Sequence, residues 1–394
     1  MIIIAKFIKM VNRIILHSIE SRMADPKAIL ILGPRQTGKS TILKEIASRA
    51  TGKKLFLNCD EALSRETLQS IRSSAEMRLL LGDANIVLID EAQRVQDIGI
   101  RLKIISDNFP NVKLLVSGSS AFELSNIINE PLTGRKWEYL LLPFSTEEMI
   151  AHSNFIEEKG KLHTRLIYGL YPDVVKNPGQ EQEILNELSG SYLYKDLFSY
   201  QDIRKPELLS RLLRALASMV GSEVTYHYLG KLLGIDHATI ERYIDLLEKT
   251  YVIFRLTSFS RNLRTELKKS RKIYFYDNGI RNALLSAYQP LAVRQDIGAL
   301  WENFMISERI KFLKHNRLWR NSYFWRTHQQ QEIDYIEEYD GKIESYEFKW
   351  NITKKVNPPK TFIKAYEGST FNVISPERYT EFLMQNHLNN ILKS

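Results

Sequence analysis

Gly33-Pro34-Arg35-Gln36-Thr37-Gly38-Lys39-Ser40 carries glycines, a lysine and a hydroxyl at the spacing that cradles a triphosphate. The glycines let the backbone curl until successive N–H groups point at phosphate oxygens. A helix opening near Lys39 adds the positive end of its dipole. Lys39 is expected to reach the β- and γ-phosphates, and Ser40, followed by Thr41, to turn a hydroxyl towards Mg²⁺. ATP with Mg²⁺ is therefore the expected cofactor pair. Downstream, Ile86-Val87-Leu88-Ile89 runs into Asp90-Glu91. Asp90 at that strand end would hold Mg²⁺, and Glu91 would orient or activate the attacking water, which favours hydrolysis over binding alone.

Two further residues are weaker candidates. Leu114-Leu115-Val116 ends in Ser117-Gly118-Ser119-Ser120; Ser119 either senses the γ-phosphate or belongs to a plain serine-rich turn. Arg135, in Leu132-Thr133-Gly134-Arg135, either stabilises transition-state charge or is a solvated loop arginine. If it acts on a neighbour's site, the working unit is an oligomer.

The elements that must position these residues read as alternating strands and helices. Strands are expected over Ala28–Leu32, Lys54–Leu57, Ile86–Ile89 and Val112–Val116. Helices are expected over Ser40–Ala50, Glu66–Leu81 and Gly99–Phe109. This rhythm predicts a parallel sheet covered on both faces.

From about Thr146 the pattern turns helical. Leu208–Val220 is strongly amphipathic, and Tyr226–Leu247 reads helix, glycine-containing turn, helix. Leu229, Leu232 and Leu233 would pack one face of the first helix; Ile240, Ile244 and Leu247 would pack the second. Ala238, Thr239, Glu241 and Arg242 would then face outwards, as in the recognition helix of a winged helix. The basic run Arg261–Lys272 would form the wing and contact phosphates, or remain a solvated loop.

Near the C-terminus, Asp340-Gly341 predicts a hairpin in which Tyr339 pairs with Lys342. Counting outward sets Asp334 opposite Glu347, and Glu332 opposite Lys349, on one face; Ile333, Tyr335, Tyr346 and Phe348 would form the core face. Facing carboxylates repel unless a cation joins them. Mg²⁺ would make a site of them, beside Lys349; a solvated polar face explains the same residues.

The bulk composition fits this picture. The chain has 394 residues, enough for two or three domains, and a net charge of +9 that favours a polyanionic partner such as DNA. A single cysteine, Cys59, excludes an internal disulfide and a thiolate zinc cluster, and fits a reducing cytoplasm. The apolar start Met1–Met10 is broken by Lys6 and Lys9 and reads as a strand or helix start, not a secretory signal. No uncharged apolar run reaches membrane-spanning length.

With these residues in hand, the chain resembles a prokaryotic ATPase family that joins an AAA-type P-loop domain to a C-terminal region of unknown function. Ile31 to Ser40, Ile89-Asp90-Glu91-Ala92-Gln93, Ser117 to Ser120 and Leu132 to Arg135 resemble its ATPase motifs. Lys272 to Gly279, Trp301-Glu302-Asn303-Phe304, Phe324-Trp325-Arg326, Glu332-Ile333-Asp334 and Glu347-Phe348-Lys349-Trp350 resemble its later segments. Ser40 stands where threonine is common, and Asp334 sits in Ile-Asp-Tyr.

The resemblance implies an α/β chain of four parts. These are an AAA-type P-loop parallel-sheet domain (1–145), a helical linker or lid (146–206), a winged helix (207–285) and an α/β PD-(D/E)xK nuclease-like domain (286–394). It implies that Glu302 joins Asp334, Glu347 and Lys349 in a catalytic set, with metal on Asp334 and Glu347. It also raises Arg135 as a catalytic residue. Two purposes compete: ATP-driven nucleic-acid processing, or a nucleotide switch whose nuclease-like end docks DNA or a protein without cutting.

Overall fold

The computed structural model describes residues 10–119, 132–192, 206–260 and 271–384. The apolar start 1–9, Ser120, the linker residues 193–205 and most of the expected wing, 261–270, lie outside the described residues. The chain divides into two compact units, one built from Asn12–Leu142 with Lys249–Tyr251, the other from Pro143–Glu248 with the residues from Val252 onward.

In the first unit the order is α1 (Ile14–Glu20), β1 (Ala28–Leu32), α2 (Lys39–Arg49), β2 (Lys54–Asn58), α3 (Ala62–Ser70), α4 (Ser74–Leu81), β3 (Ile86–Asp90), α5 (Ile98–Asn108), β4 (Lys113–Gly118) and β5 (Lys136–Leu140). The strands form one parallel sheet in the order β2-β3-β4-β1-β5. Alternation along each strand sends side chains to opposite faces. Ile29, Ile31, Leu88 and Leu115 pack with Ile15 and Ile19 of α1 and Ile42 and Ile46 of α2. Leu30, Leu32, Ile89 and Val116 pack with Leu68, Met77 and Leu102 of α3 to α5. The expected parallel sheet with both faces covered is present.

The helix expected over Glu66–Leu81 is two. Ser73 caps α4, accepting from Glu76 N at 3.3 Å, while the Glu76 carboxylate accepts from Ser73 N at 3.2 Å. This reciprocal capping box starts a new helix although the apolar spacing runs on.

The second unit begins with short helices α6 (Thr146–His152), α7 (Phe155–Gly160), α8 (Leu162–Tyr168), α9 (Pro172–Lys176) and α10 (Glu181–Glu187). Then follow α11 (Pro206–Ser218), β6 (Glu223–Val224), α12 (Tyr226–Leu233), α13 (His237–Lys249), β7 (Ile253–Ser258), β8 (Arg271–Phe275) and α14 (Asn278–Leu284). The last part carries α15 (Ile297–His315), β9 (Asn321–Arg326), β10 (Glu332–Tyr339), β11 (Lys342–Phe348), α16 (Lys360–Ala365), β12 (Thr370–Ile374) and α17 (Tyr379–Met384).

One seven-stranded mixed sheet runs through this unit in the order β12-β11-β10-β9-β7-β8-β6. Its parallel pair β7–β9, with Thr257 opposite Tyr323, crosses the border drawn at 285/286. The segments 207–285 and 286–394 therefore share a sheet, and the compact units number two rather than four. Backbone pairing across so long a stretch has no local signature.

The hairpin register is as counted from the sequence: Tyr339 pairs with Lys342 and Tyr335 with Tyr346. The faces differ from expectation. Against β9 the register shifts between Ile333 and Ile336, placing an extra residue on β10. Such a bulge re-aims side chains. Ile333 packs with Ile336, Ile343 and Phe362, whereas Tyr335 lies among Tyr346, Phe348 and Phe382. Ile333 and Tyr335 thus do not share one core face.

Candidate nucleotide site and the buried carboxylate cluster

The loop after β1 closes on itself. Lys39 is buried, and its ammonium donates to the carbonyls of Gly33 at 3.0 Å and Pro34 at 2.7 Å. Thr37 Oγ1 donates to the Pro34 carbonyl at 2.9 Å. Gln36 and Gly38 both have positive φ, at 60° and 95°, which bends the backbone into the first turn of α2. Arg35, Ser40 and Gly38 are half-buried, and Thr41 is exposed. Arg13 clamps the loop from outside, donating to the Thr37 carbonyl at 3.0 Å and the Leu142 carbonyl at 2.6 Å. A side chain at Gly33 would meet the Leu141 carbonyl oxygen at 2.1 Å, so backbone lies directly against the loop. Gly33→Ala is expected to cost about 2 kcal/mol or more and to weaken nucleotide binding. Thermal denaturation and a fluorescent-nucleotide titration check both effects.

In the sheet, β4 lies between β1 and β3. The β4 serines therefore stand between the loop and Asp90. Ser117 Oγ donates to Asp90 Oδ1 and accepts from Glu91 N at 3.3 Å, so Ser117 holds the acid end of β3. Asp90 is 5% exposed and also accepts from Glu91 N at 3.1 Å. Glu91 has φ 52°, a left-handed turn that swings its carboxylate off the strand line. Gln93 Nε2 donates to Glu91 Oε2 and, at 2.9 Å, to Ser119 Oγ. The adjoining Cys59 thiol is pushed up to about 12 by burial and by the Asp90 carboxylate, so it stays protonated.

Arg135 does not join this group. It precedes Lys136, which pairs with Ala28 at the start of β1, whereas the phosphate loop follows Leu32 at the other end. At 3.3 Å per residue the separation along the strands is roughly 16 Å. Arg135 is ion-paired with Asp107, and its side chain is 52% exposed. The own-site role considered for Arg135 does not fit its place at the opposite end of the strands.

The C-terminal carboxylates converge, though not as four groups around an open site. Glu302 on α15 accepts from Lys272 Nζ at 3.0 Å and from Tyr274 OH at 2.6 Å. Lys272 also pairs with Glu332, and it is 1% exposed. Its placement in β8 removes it from the basic, phosphate-contacting run expected from sequence. Asp334 is buried and accepts from Phe348 N at 2.8 Å. Burial, then the Glu302 and Glu347 carboxylates, raises Asp334 well above the carboxylate range. Glu347 pairs with Lys349 at 2.6 Å, while its Oε2 is buried without a hydrogen-bond partner. The Lys349 ammonium is thus engaged by Glu347, and Glu332 by Lys272. Among the described residues, no group of three or more histidine, cysteine or acidic side chains is placed to hold a metal.

Asp296 immediately precedes α15, the helix that delivers Glu302. Burial pushes its carboxyl up, but bonds from Arg294 and Arg281 outweigh this and hold it at about 2, against an ordinary 3.8. A depressed acid stabilises the fold above its unfolded value and loses that contribution as pH falls through the folded one. Asp296→Asn is therefore expected to lower the melting temperature at pH 7. The gap should narrow as pH falls from about 4 towards 2. Melting curves across that range check it.

On α13, Ala238, Glu241 and Arg242 are exposed and Thr239 is half-buried. Asp236 caps the helix, accepting from Thr239 N at 2.9 Å. Leu232 is 50% exposed rather than packed, and Tyr228 beside it on α12 is 51% exposed.

Residues 25–150 match the family described as AAA domain. Over those residues the chain is similar to the AAA domain family. Residues 159–290 and 297–387 match two further families, each described as a domain of unknown function. An uncharacterized protein of Mycobacterium tuberculosis is 28% identical over 334 residues, covering 84% of this chain and 71% of its own length. One from Haemophilus influenzae is 24% identical over 272 residues, with 64% and 68% covered. Among solved structures, a Pif1 helicase at forked double-stranded DNA aligns with 14% identity and a TM-score of 0.28, covering 45% of this chain and 52% of that one.

Within and beyond the AAA domain, three side chains in these networks carried no such role in the sequence reading. Arg13 precedes α1 and has no motif around it. Gln93 stands in the Asp90-Glu91-Ala92-Gln93 run, and its two-residue offset from Glu91 is the only signal. Lys272 sits at the end of a basic run, which disguises a buried ion pair as a wing residue.

Proposed function

We propose that the chain is a Mg²⁺-dependent ATPase whose nucleotide cycle is coupled to nucleic-acid contact. The observation that carries this reading is the folded phosphate loop with the buried Lys39 ammonium at its centre and Asp90 and Glu91 two strands away. The residues fit the cofactor: curled glycine backbone, one ammonium, the Ser40 hydroxyl and the Asp90 carboxylate. Mg²⁺ bound between Ser40 and Asp90 would offset charge on the β- and γ-phosphate oxygens. Lys39 would leave the loop carbonyls for those oxygens. Glu91 would take a proton from water as the water oxygen bonds to the γ-phosphorus and the bridging oxygen departs with ADP. Ser119 would meet the γ-phosphate. Arg135 reaches a phosphate only on a second copy, which favours a homo-oligomer as the working unit.

Nucleic-acid contact is assigned to α12 and α13, where exposed Lys231, Arg242 and Lys249 accompany Tyr228. The net charge of +9 supports a polyanionic partner. The lone Cys59 supports a reducing, cytoplasmic setting, and among the described residues no helix is long and apolar enough to cross a membrane.

The nuclease-like end is assigned a docking role without cutting. The specific observation is Lys272, whose ammonium pairs with Glu302 and Glu332 and so engages the Glu302 carboxylate expected in the catalytic set. Two assays test the proposal. ATP turnover should rise when single- or double-stranded DNA is added at low salt, and the rise should fade with salt; equal turnover with and without DNA removes the coupling. Supercoiled plasmid should remain intact with Mg²⁺ or Mn²⁺; nicking that disappears in Asp334→Ala would restore the nuclease.

A further inference from the structure

Gln93 spends its whole carboxamide on two residues of the nucleotide site. One Nε2 hydrogen goes to Glu91 Oε2 and the other to Ser119 Oγ at 2.9 Å, while Oε1 faces Ser119 N at 3.4 Å. The partners fix the orientation of the amide. A carboxylate can only accept and a backbone N–H can only donate, so nitrogen must face Glu91 and oxygen must face Ser119 N. Glu91 itself is held in a left-handed turn, with its N–H bonded to Asp90 and Ser117. Its backbone is thus tied to β3 and β4, and its carboxylate is aimed by Gln93.

We propose that Gln93 is a positioning residue that couples the γ-phosphate end of the site to the base, by joining Ser119 to Glu91 through one amide. This rests on the reading of Glu91 as the base for ATP hydrolysis. Ser119 directly follows β4, the strand adjacent to β1 and its phosphate loop. A phosphate oxygen that engages the Ser119 hydroxyl fixes the serine, the serine fixes the amide, and the amide fixes the carboxylate rotamer. Because Gln93 touches no reacting atom, its removal leaves nucleotide affinity alone and slows the chemical step.

The test is a double-mutant cycle with ATP turnover and nucleotide affinity, read as kcat against nucleotide Kd, as readouts. Gln93→Leu keeps an apolar branched stem, one atom shorter, and removes both donors and the acceptor. The expected result is a kcat reduced about tenfold or more, with nucleotide Kd within about twofold of wild type and an unchanged melting temperature. In a Glu91→Gln background the same substitution should reduce turnover no further. Wild-type kcat in Gln93→Leu, or an equal reduction in both backgrounds, overturns the coupling while leaving the ATPase reading intact. Absence of turnover in the wild-type protein overturns both.

Discussion

Lys39→Ala is expected to abolish nucleotide binding and turnover together, by on the order of 10²–10³-fold or more in kcat/KM. Two facts make the effect large. The ammonium is 4% exposed, so the cation that meets the phosphates is already largely desolvated and needs little reorganisation. It is also the one cation that hydrogen-bonds two carbonyls of the phosphate loop, at Gly33 and Pro34, among the contacts described there. Alanine leaves the backbone amides and Mg²⁺ to hold a tetra-anionic group without the loop's ammonium. Steady-state phosphate release and fluorescent-nucleotide titration measure the two losses. Turnover within a few-fold of wild type would mean that triphosphate is bound elsewhere.

Glu91→Gln should separate what Lys39→Ala removes at once. The amide is isosteric with the carboxylate and cannot take a proton from water. A loss of about 10²–10⁴ in kcat is expected, with nucleotide affinity preserved. The variant should therefore accumulate bound ATP, visible as unhydrolysed nucleotide that co-elutes with the protein. Asp90 and Ser117 remain in place in this variant, so the acid end of β3 keeps its form. Parallel loss of affinity and turnover would instead assign Glu91 to binding rather than to catalysis.

The first unit was legible because its signals are local. An apolar run ending in glycine, Ala28–Leu32 into Gly33, can only be a buried strand feeding a turn, and the next helix follows from Lys39 onward. The place of Asp90 and Glu91 at the end of β3 was legible for the same reason. The break between α3 and α4 was masked by apolar spacing that continues across it, although Ser73 and Glu76 carry the capping pattern. In the second unit the decisive contacts are distant in sequence. The β7–β9 pairing merges two expected domains, and no residue near either strand announces it. The hairpin register followed from Asp340-Gly341, but the bulge between Ile333 and Ile336 depends on β9 and escaped a count made along the hairpin alone. Lys272 shows the same limit for charge: its neighbours in sequence are basic, while its neighbours in space are Glu302 and Glu332. Arg135 shows it for position, since only strand pairing tells which end of the strands it occupies.

Isothermal titration of the pure, folded protein with Mg²⁺ and a slowly hydrolysed ATP analogue tests the phosphate loop most directly. The predicted result is saturable binding close to one nucleotide per chain, abolished in Lys39→Ala. A flat titration with adenine and guanine nucleotides alike, in protein whose melting curve shows it folded, would contradict it.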